Sequence, residues 1–518
     1  MYKRFCLQFA VLAFCGFLVA GTVNYFINPY DVWDSKKTAG INMGYPKLMD
    51  IERWATPMRF TLLQEQPEVV FLGNSQVRWG IDPACYEQES GEKVYNFGIP
   101  GITRYEQMEC VKHILSVDKK LKELVLCLDF TMYVEGEHFR EDKFLSGFKE
   151  AQMGESRPTL ENMAMTMLSW EAFKDSAKTV RLNHIWRWQQ PFESQLGSLS
   201  DEAILTHFGR DFRAFDNPVN RMRREGKTTR GKLDEGSLER LQEIASLCQE
   251  RGIKLTLVIL PMHVRQLSVY ADCWEVYEDW VRRVTQVAPV WNFIGYNEIT
   301  DSDFVPGPVG KGTNEFFWDT VHPRHELGNI VQRIMLGREK RWQSLGFLLD
   351  SGNVEDYLTG LRADKEIWDK AHPRELEAAD YSKGFVAREP QSLAKTQWQP
   401  AGDGITFDLA LTGPRIRVKQ GKDLDLWGSQ NLQADYKALV FALLENEAGE
   451  RYYALSEYPV LKQDDPLAVG LTPGEVQGFH LQMPTWDVPA GRYRLSFIVL
   501  SEAGAAYASE PQAEVLVK

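Results

Sequence analysis

Residues 67–76 read PEVVFLGNSQ, in which an unbroken apolar run passes directly into a Gly-Asn-Ser turn. A run that is apolar at every position, rather than at alternate ones, is typical of a strand in a parallel sheet, where both faces are buried. Similar short runs recur at residues 93–96, 123–128, 254–260 and 289–294, with helical patterns between them. We therefore predict an α/β fold with a doubly wound, parallel, five-stranded sheet, whose functional residues lie beyond the carboxyl ends of the strands.

The chain begins with a segment that is long enough to cross a membrane. Lys3 and Arg4 precede residues 5–27, which carry no charged side chain. About 20 apolar residues span a bilayer as a helix, and basic residues before the span favour a cytoplasmic N-terminus. We expect residues 1–30 to be a transmembrane anchor of a single-pass inner-membrane protein, with the bulk of the chain in the periplasm or outside the cell. A cleaved signal peptide is the alternative, although its apolar segment should be shorter and end at a small-residue site.

Composition excludes several classes of protein. The 518 residues include 44% hydrophobic and 25% charged residues, which excludes a wholly disordered, collagen-like or polytopic membrane protein. The formal net charge is −13, and nucleic-acid binding normally needs a basic surface, so we expect no nucleic-acid partner. Seven cysteines without a C-x-x-C pair indicate neither a disulfide framework nor a structural zinc site, and we expect no metal or cofactor.

The pattern changes along the chain and predicts four parts. After the anchor, residues 31–344 form the α/β region, with an insertion at about 131–235 that is rich in Met, Arg and Trp (Trp170, Trp186 and Trp188) and is predicted to be helical. Residues 345–403 are charged and broken by Pro and Gly, which indicates a connector. Residues 404–518 contain short alternating runs that predict a β-sandwich.

The turn after the first predicted strand carries a candidate nucleophile. Ser75 lies in residues 73–76 (GNSQ), where a sheet edge presents a side chain among converging backbone N–H groups. The turn is not a G-x-S-x-G elbow, because the second glycine is missing. An ordinary serine turn or helix cap is the alternative.

The turn after the second predicted strand is rich in glycine. Residues 96–101 read NFGIPG, and two glycines this close indicate a bend where the backbone approaches another group. An oxyanion hole needs such free N–H groups, aimed where negative charge develops. A simple tight turn is the alternative.

A third motif, WDTVHP at residues 318–323, lies near the end of the α/β region. A nucleophilic serine needs a base, and the base needs a carboxylate that fixes its tautomer; Asp319 and His322 on one short loop supply both. Metal binding by Asp319, His322 and His325 is another interpretation, but the sequence offers no distant partner cluster.

Taken together, the order of the three motifs resembles that of the SGNH (GDSL-like) hydrolase superfamily over about residues 65–340, excluding the insertion. The resemblance implies that Ser75 is the nucleophile, His322 the general base and Asp319 its orienting partner. It also implies that the amide of Gly101 forms the oxyanion hole with the amide of Ser75.

The sequence departs from that pattern after the third strand, where the family carries an Asn that donates to the oxyanion. This chain has Asp129, and an ionised carboxylate only accepts hydrogen bonds. Either Asn74 or a group from the insertion takes over that role, or Asp129 is protonated or faces away. Asp129, Arg78 and His263, which lies in residues 260–263 (LPMH), are the candidate substrate-binding residues; for His263 a structural role is the alternative.

Within the superfamily, the chain is similar to membrane-tethered proteins that modify envelope polysaccharides, namely the alginate O-acetyltransferases and the D-alanine-transfer proteins of teichoic acids. The similarity lies in the N-terminal anchor, the GNS turn, the altered third block and the W-D-x-x-H-P ending. It implies acyl transfer, most simply O-acetylation, to an exported polysaccharide through a serine acyl-enzyme. It also implies a multi-spanning membrane-bound O-acyltransferase as the partner that supplies the acyl group.

Two other functions stay open at this point. The same triad supports a carbohydrate esterase or deacetylase, in which water is the acceptor. A non-catalytic glycan-binding assembly protein on a degenerate scaffold is the third hypothesis, which Asp129 and the C-terminal aromatic residues motivate. These aromatic residues, which either stack on sugars or form the core, are Trp427, Tyr436, Tyr452 and Trp486.

Overall fold

The structure is a computed structural model. The residues it describes are 2–30, 33, 36–43, 62, 65–134, 160–186, 232–303, 314–373, 376–377, 381, 384–401, 405–409, 415–432, 438–456, 477–501 and 503–518. The helices in these residues are α1 (Tyr2–Ile27), α2 (Ser75–Gly80), α3 (Pro83–Ser90), α4 (Arg104–Val117), α5 (Leu160–Leu168), α6 (Trp170–Trp186), α7 (Glu235–Glu250), α8 (Val264–Leu267), α9 (Trp274–Val287), α10 (His325–Met335), α11 (Val354–Ala371) and α12 (Gln391–Ala394). Short 3₁₀ turns lie at Phe130–Tyr133, Ser268–Cys273 and Gln343–Leu345.

One mixed sheet organises the α/β region. Its strands are β1 (Val69–Gly73), β2 (Val94–Gly98), β3 (Glu123–Leu128), β4 (Lys254–Ile259), β5 (Val290–Asn292) and β6 (Phe347–Leu349). They lie in the order β2-β1-β3-β4-β5-β6. The five predicted strands pair in parallel, which confirms the predicted parallel sheet, whereas β6 runs antiparallel to β5 and makes the sheet six-stranded rather than five-stranded.

Helices cover both faces of this sheet, because successive strand side chains point to opposite faces and both sets are apolar. Along β1, Val70 and Leu72 belong to the core formed with α4, α7 and α9. Val69 and Phe71 belong to a second core, formed with α2, α3 and α10. The unbroken apolar runs of the sequence therefore correspond to strands that are buried on both sides.

The stretch predicted as a connector, residues 345–403, is largely structured where it is described. β6 extends the sheet, and α11 packs on α9 with Leu349 and Leu358 inside the first core. Arg362 on α11 pairs with the buried Glu278 on α9. The first part of this stretch is therefore not a connector but part of the α/β region, because β6 pairs with β5 and Arg362 has its partner on α9.

The C-terminal region is built from short strands, as predicted. They are β7 (Trp398–Pro400), β8 (Ile405–Leu409), β9 (Arg415–Val418), β10 (Asp423–Leu432), β11 (Leu439–Asn446), β12 (Arg451–Leu455), β13 (Gln477–Pro484), β14 (Gly491–Leu500), β15 (Ala506–Ala508) and β16 (Ala513–Val517). A three-stranded sheet, β13-β10-β8, and a larger, mostly antiparallel sheet that includes β11, β12 and β14 share one apolar core. Phe407 and Phe497, one from each sheet, stack with ring centroids 4.6 Å apart. The region begins at β7, before the predicted boundary at residue 404.

The N-terminal helix and the insertion meet in the structure. The stretch Arg4–Ile27 within α1 is long and apolar enough to cross a membrane, as expected of an anchor or a signal sequence. α5 and α6 lie within the stretch predicted as an insertion, and both pack against α1. Trp170 begins α6, whereas Trp188 and the side chain of Trp186 lie outside the described residues.

Candidate active site

The candidate site lies where β1 and β2 end. These strands pair in register up to Gly73 and Gly98, so the loops that follow them start side by side. Ser75 is the first residue of α2, and the N-cap Asn74 accepts the Gln76 N–H at 2.9 Å through its side chain. A tight β-strand-to-helix turn thus holds the serine hydroxyl at the carboxyl edge of the sheet.

Three residues that are far apart in sequence form a hydrogen-bonded chain at this edge. The Oγ atom of Ser75 lies 2.8 Å from Nε2 of His322. Nδ1 of His322 lies 2.8 Å from each carboxylate oxygen of Asp319. Asp319 accepts from Nδ1, so this nitrogen carries the proton and Nε2 is left as the acceptor for the serine hydroxyl. This is the arrangement that the three sequence motifs predicted together.

The loop around Asp319 is fixed by its own backbone. Oδ1 of Asp319 also accepts the N–H groups of Val321 and His322, both at 2.8 Å. The N–H of Trp318 donates to the carbonyl of His322 at 2.9 Å and closes the loop. Trp79 packs edge-to-face on the His322 ring, with centroids 4.5 Å apart. The imidazole is therefore held in one orientation from two sides.

Asp129, the departure from the family pattern, has a specific partner. Nδ2 of Asn74 donates to Oδ2 of Asp129 at 2.6 Å, and Thr131 donates to Oδ1 through its N–H at 2.9 Å and its hydroxyl at 2.8 Å. Burial raises the pKa of Asp129, while these donors and His322 act against that rise. In all three contacts a hydrogen is donated to the Asp129 carboxyl group. This geometry suits the ionised carboxylate, which can only accept hydrogen bonds.

Gly101 lies three residues beyond the end of β2. Its φ is +66°, in the left-handed region that favours glycine, so the turn needs this residue. Ile99 N–H donates to Gly73 O at 2.9 Å and fastens this turn to the end of β1, just before Ser75. The backbone of Gly101 therefore belongs to the loop beside Ser75, where the sequence predicts an oxyanion hole.

Two buried polar residues that sequence analysis did not single out hold α2 in place. Nδ2 of Asn96 donates to the carbonyls of Val77 at 2.8 Å and Ile81 at 2.7 Å, while its Oδ1 accepts the Gly98 N–H. Nε2 of Gln76 donates to Val321 O at 3.0 Å and links α2 to the Asp-His loop. Their position inside the GNSQ and NFGIPG motifs was the one signal available, and it did not reveal their partners.

A close crossing of α2 and α10 also brings the serine and histidine together. A Cβ atom on Gly328 would lie 1.7 Å from the carbonyl oxygen of Gly80, and one on Gly80 would lie 2.5 Å from Cγ of Pro323. Glycine at both positions allows the backbones to touch. Since Pro323 follows His322 directly, this contact sets how far the imidazole is from Ser75.

His263 has a structural place in the fold. Its Nδ1 accepts the Arg265 N–H at 3.2 Å as the N-cap of α8, its Nε2 lies 3.1 Å from Ser302 O, and its own N–H donates to Thr320 O. Burial lowers the pKa of His263 to about 3, so the ring is neutral. His263 supports the Asp-His loop from behind.

The other candidate binding residues differ in exposure. The side chain of Arg78 is 1% exposed, so it is packed under the site and not displayed at its surface. In the C-terminal region, Tyr452 is buried in the shared core, whereas Trp486 is 70% exposed. Tyr436 and the side chain of Trp427 lie outside the described residues.

Among the described residues, no group of three or more His, Cys, Asp or Glu side chains is arranged to hold a metal ion. The alternative set of Asp319, His322 and His325 is thus not brought together as ligands. None of the seven cysteines, all of them in described parts of the chain, is in a disulfide bond.

No protein-family model matches this chain, and no curated protein matches it either.

Proposed function

We propose that this protein is a serine acyl-transfer enzyme in which Ser75, His322 and Asp319 are the catalytic residues. The observation that carries the proposal is the chain of 2.8 Å contacts from the Ser75 hydroxyl through the imidazole to the Asp319 carboxylate. A serine is a weak nucleophile unless an adjacent base takes its proton, and a base on one loop with its carboxylate is poised to do so.

In the proposed reaction, Oγ of Ser75 attacks the carbonyl carbon of an acyl donor while its proton passes to Nε2 of His322. The Asp319 carboxylate stabilises the imidazolium that forms. The tetrahedral intermediate collapses to the acyl-serine ester, and the leaving group takes the proton back from His322. An acceptor hydroxyl then loses its proton to His322, attacks the ester and regenerates the Ser75 hydroxyl.

The oxyanion needs donors, and we assign them to the backbone N–H groups of Ser75 and Gly101 and to the side chain of Asn74. An amide NH₂ group has two hydrogens, and Asn74 uses one of them on Asp129. Asp129 acts in this assignment as the positioning residue that orients Asn74, which takes over the role that an Asn plays in the related family. Removing one such donor typically costs ~10²–10³ in rate.

The fold features that support an SGNH-like assignment are the strand order β2-β1-β3-β4-β5 and the position of each motif. The GNSQ and NFGIPG motifs follow β1 and β2 at the carboxyl edge of the sheet, and the WDTVHP motif lies directly before α10. In open α/β sheets of this order, active residues lie beyond the carboxyl ends of the strands. The resemblance further supports an exported glycan as the acceptor, O-acetylation as the reaction and a multi-spanning membrane-bound O-acyltransferase as the donor partner.

The location of the enzyme follows from α1 in the same proposal. Arg4 precedes an apolar stretch that reaches Ile27, and we propose that it anchors the protein in the inner membrane, with the site in the periplasm or outside the cell. An acyl donor that crosses the membrane and an extracytoplasmic polysaccharide would both be accessible to an anchored site.

Water is the competing acceptor, and a carbohydrate esterase is therefore the second candidate function. Ser75 and His322 are half-buried rather than sealed from solvent, which leaves the acyl-serine open to hydrolysis as well as to transfer. The assembled triad argues against a purely glycan-binding scaffold, since binding alone needs no serine within hydrogen-bonding distance of a carboxylate-paired histidine.

The first experiment asks whether Ser75 is an activated nucleophile. The full-length protein in detergent is treated with a serine-directed fluorophosphonate, and the adduct is mapped by mass spectrometry. Ser75 should be the labelled residue, and Ser75→Ala should abolish labelling. Ser116→Ala is the matched control, because Ser116 is a half-buried serine that donates to a helix carbonyl far from the site. A native protein that takes up no label at Ser75 would refute the proposal.

The second experiment separates transfer from hydrolysis. Release of acetate from an acetyl ester is measured with and without acetylatable oligosaccharides, and acetylated product is detected by mass. A transferase gives an acetylated oligosaccharide at the expense of free acetate, whereas an esterase gives acetate alone. Both activities must disappear in Ser75→Ala and persist in Ser116→Ala.

A further inference from the structure

The buried side chain of Asn24, near the C-terminal end of α1, forms hydrogen bonds with residues of α5 and α6. Nδ2 of Asn24 lies 2.8 Å from Met167 O, 3.1 Å from Ser169 O and 3.3 Å from Thr166 O, and its Oδ1 accepts the Ser176 hydroxyl at 2.9 Å. Thr166 O also accepts the Ser169 N–H and Ser169 O the Phe173 N–H, so Asn24 adds a further donor to the carbonyls at the junction of α5 and α6. The two helices α5 and α6, which are joined at Ser169 and are called the α5–α6 hairpin below, are thereby fixed to one level of α1.

That level coincides with the expected membrane surface. A hydrocarbon core of about 30 Å corresponds to about 20 helical residues at 1.5 Å each, which places its outer boundary near Asn24 if it begins at Phe5. Large apolar side chains from Phe5 to Val19 are exposed, while Ala20, Asn24 and Ile27 are buried. Most of the α1 surface that would lie in lipid is thus exposed, and the folded protein covers one face of the end of α1, where Tyr25 and Phe26 remain 46% and 67% exposed.

The hairpin tip, residues 167–170, carries apolar side chains that nothing in the described residues covers fully. Leu168 is 54% exposed and Trp170 66% exposed, although a Cβ atom on Gly21 of α1 would lie 3.7 Å from the Leu168 side chain. Trp170 stacks on Phe173 with centroids 5.2 Å apart, which adds a second ring beside the tip. Tryptophan is enriched at membrane–water interfaces, where its ring is partly apolar and partly hydrated.

We propose that the hairpin tip inserts into the outer lipid–water interface beside an uncleaved α1. The occupant of this surface is phospholipid, because the tip continues the bare apolar surface of α1 at the depth where that surface ends. Cleavage near Ala20 and Gly21 would remove the helical turns that orient Asn24, so retention of α1 is part of the same inference. The inference is independent of the serine chemistry, and either can fail while the other stands.

Photo-crosslinking in phospholipid vesicles tests this placement. The full-length protein carries a benzophenone amino acid in place of Trp170 or, as a second position, Leu168, and the control carries it in place of Trp486, which is 70% exposed in the C-terminal region. Positions 168 and 170 should yield lipid adducts several-fold more often than position 486. Adducts to a second copy of the chain, or lipid yields equal to those at position 486, would overturn the proposal.

Two further measurements complete the test. The intact mass of protein purified from membranes should include residues 2–30, and loss of about the first 20 residues would contradict the proposal. Asn24→Leu keeps α1 apolar but removes its bonds to the hairpin, so it should lower the lipid adducts at position 170 several-fold. Val19→Leu, on the exposed side of α1, is the matched control and should leave those adducts unchanged.

Discussion

The crossing of α2 and α10 gives a prediction that can be worked from the coordinates. In Gly328→Ala, the new Cβ would lie 1.7 Å from the Gly80 carbonyl oxygen, whereas carbon–oxygen contacts of this kind are normally about 3.3 Å or longer. The clash is with backbone, so it cannot be relieved by a rotamer change, and the helices must separate by about 1.5 Å. α10 follows His322 closely, and the 2.8 Å contact with Ser75 should lengthen beyond hydrogen-bonding distance.

The expected result is a slower nucleophile in a protein that still folds. Misplacement of reacting groups by ~1 Å costs ~10²-fold, and overpacking costs about 1–3 kcal/mol of stability. The assay is the second-order rate of fluorophosphonate labelling at Ser75, with thermal unfolding measured in parallel. Gly360→Ala is the matched control: Gly360 lies in α11 with nothing within 4 Å of a Cβ, and its labelling rate should equal that of the native protein. Equal rates for Gly328→Ala and Gly360→Ala would refute the coupling between the helix crossing and the triad.

Three more predictions concern single side chains. Burial lowers the pKa of His263 to about 3, so below pH 6.5 the unfolded chain binds a proton that the folded protein does not, and the free energy of unfolding falls. Urea unfolding at pH 4.5 should show a loss of about 3 kcal/mol in the native protein. His263→Asn, which keeps the N-cap acceptor, should not show this loss. Asn96→Ala removes the Asn96 bonds to Ile81 O, to the Gly98 N–H and to Val77 O, of which Val77 O keeps the Ile81 N–H. It should cost about 2–4 kcal/mol in the same assay, whereas a loss under about 0.5 kcal/mol would show that Asn96 does not fix α2. Asp129→Asn should keep acetyl-ester turnover within ~10-fold of the native rate, whereas Asn74→Ala should lower it by ~10² or more. A larger loss in Asp129→Asn than in Asn74→Ala would show that the rate depends on the Asp129 carboxylate rather than on the Asn74 side chain.

The parallel sheet could be predicted from sequence because each strand is an apolar run buried on both faces. β6 was missed since it has only three residues, Phe347–Leu349, and lies among charged residues. α11 was missed for a related reason: its charges suggested a solvated connector, and the partner of Arg362 is Glu278, 84 positions earlier in the chain. Pairing across such distances leaves no local pattern.

The same contrast holds at the site. The contacts among Ser75, His322 and Asp319 were predictable because the proposed acyl transfer requires those residue types in short motifs. The partner of Asp129 was not predictable, because it depends on β1 and β3 lying side by side in the sheet. The sequence raised Asn74 as a substitute donor, but the bond that orients it appears only when the strands are assembled.

The antiparallel strand β6 has a practical consequence for anyone who isolates the α/β half of the protein. β5 is only three residues long, and its outer backbone groups are occupied by β6 through Val290 opposite Leu349 and Asn292 opposite Phe347. A fragment ended at residue 344 would present that strand as an open template for other chains, and such bare edges promote aggregation. Soluble versions of this half should therefore extend at least to Ala371, where α11 ends.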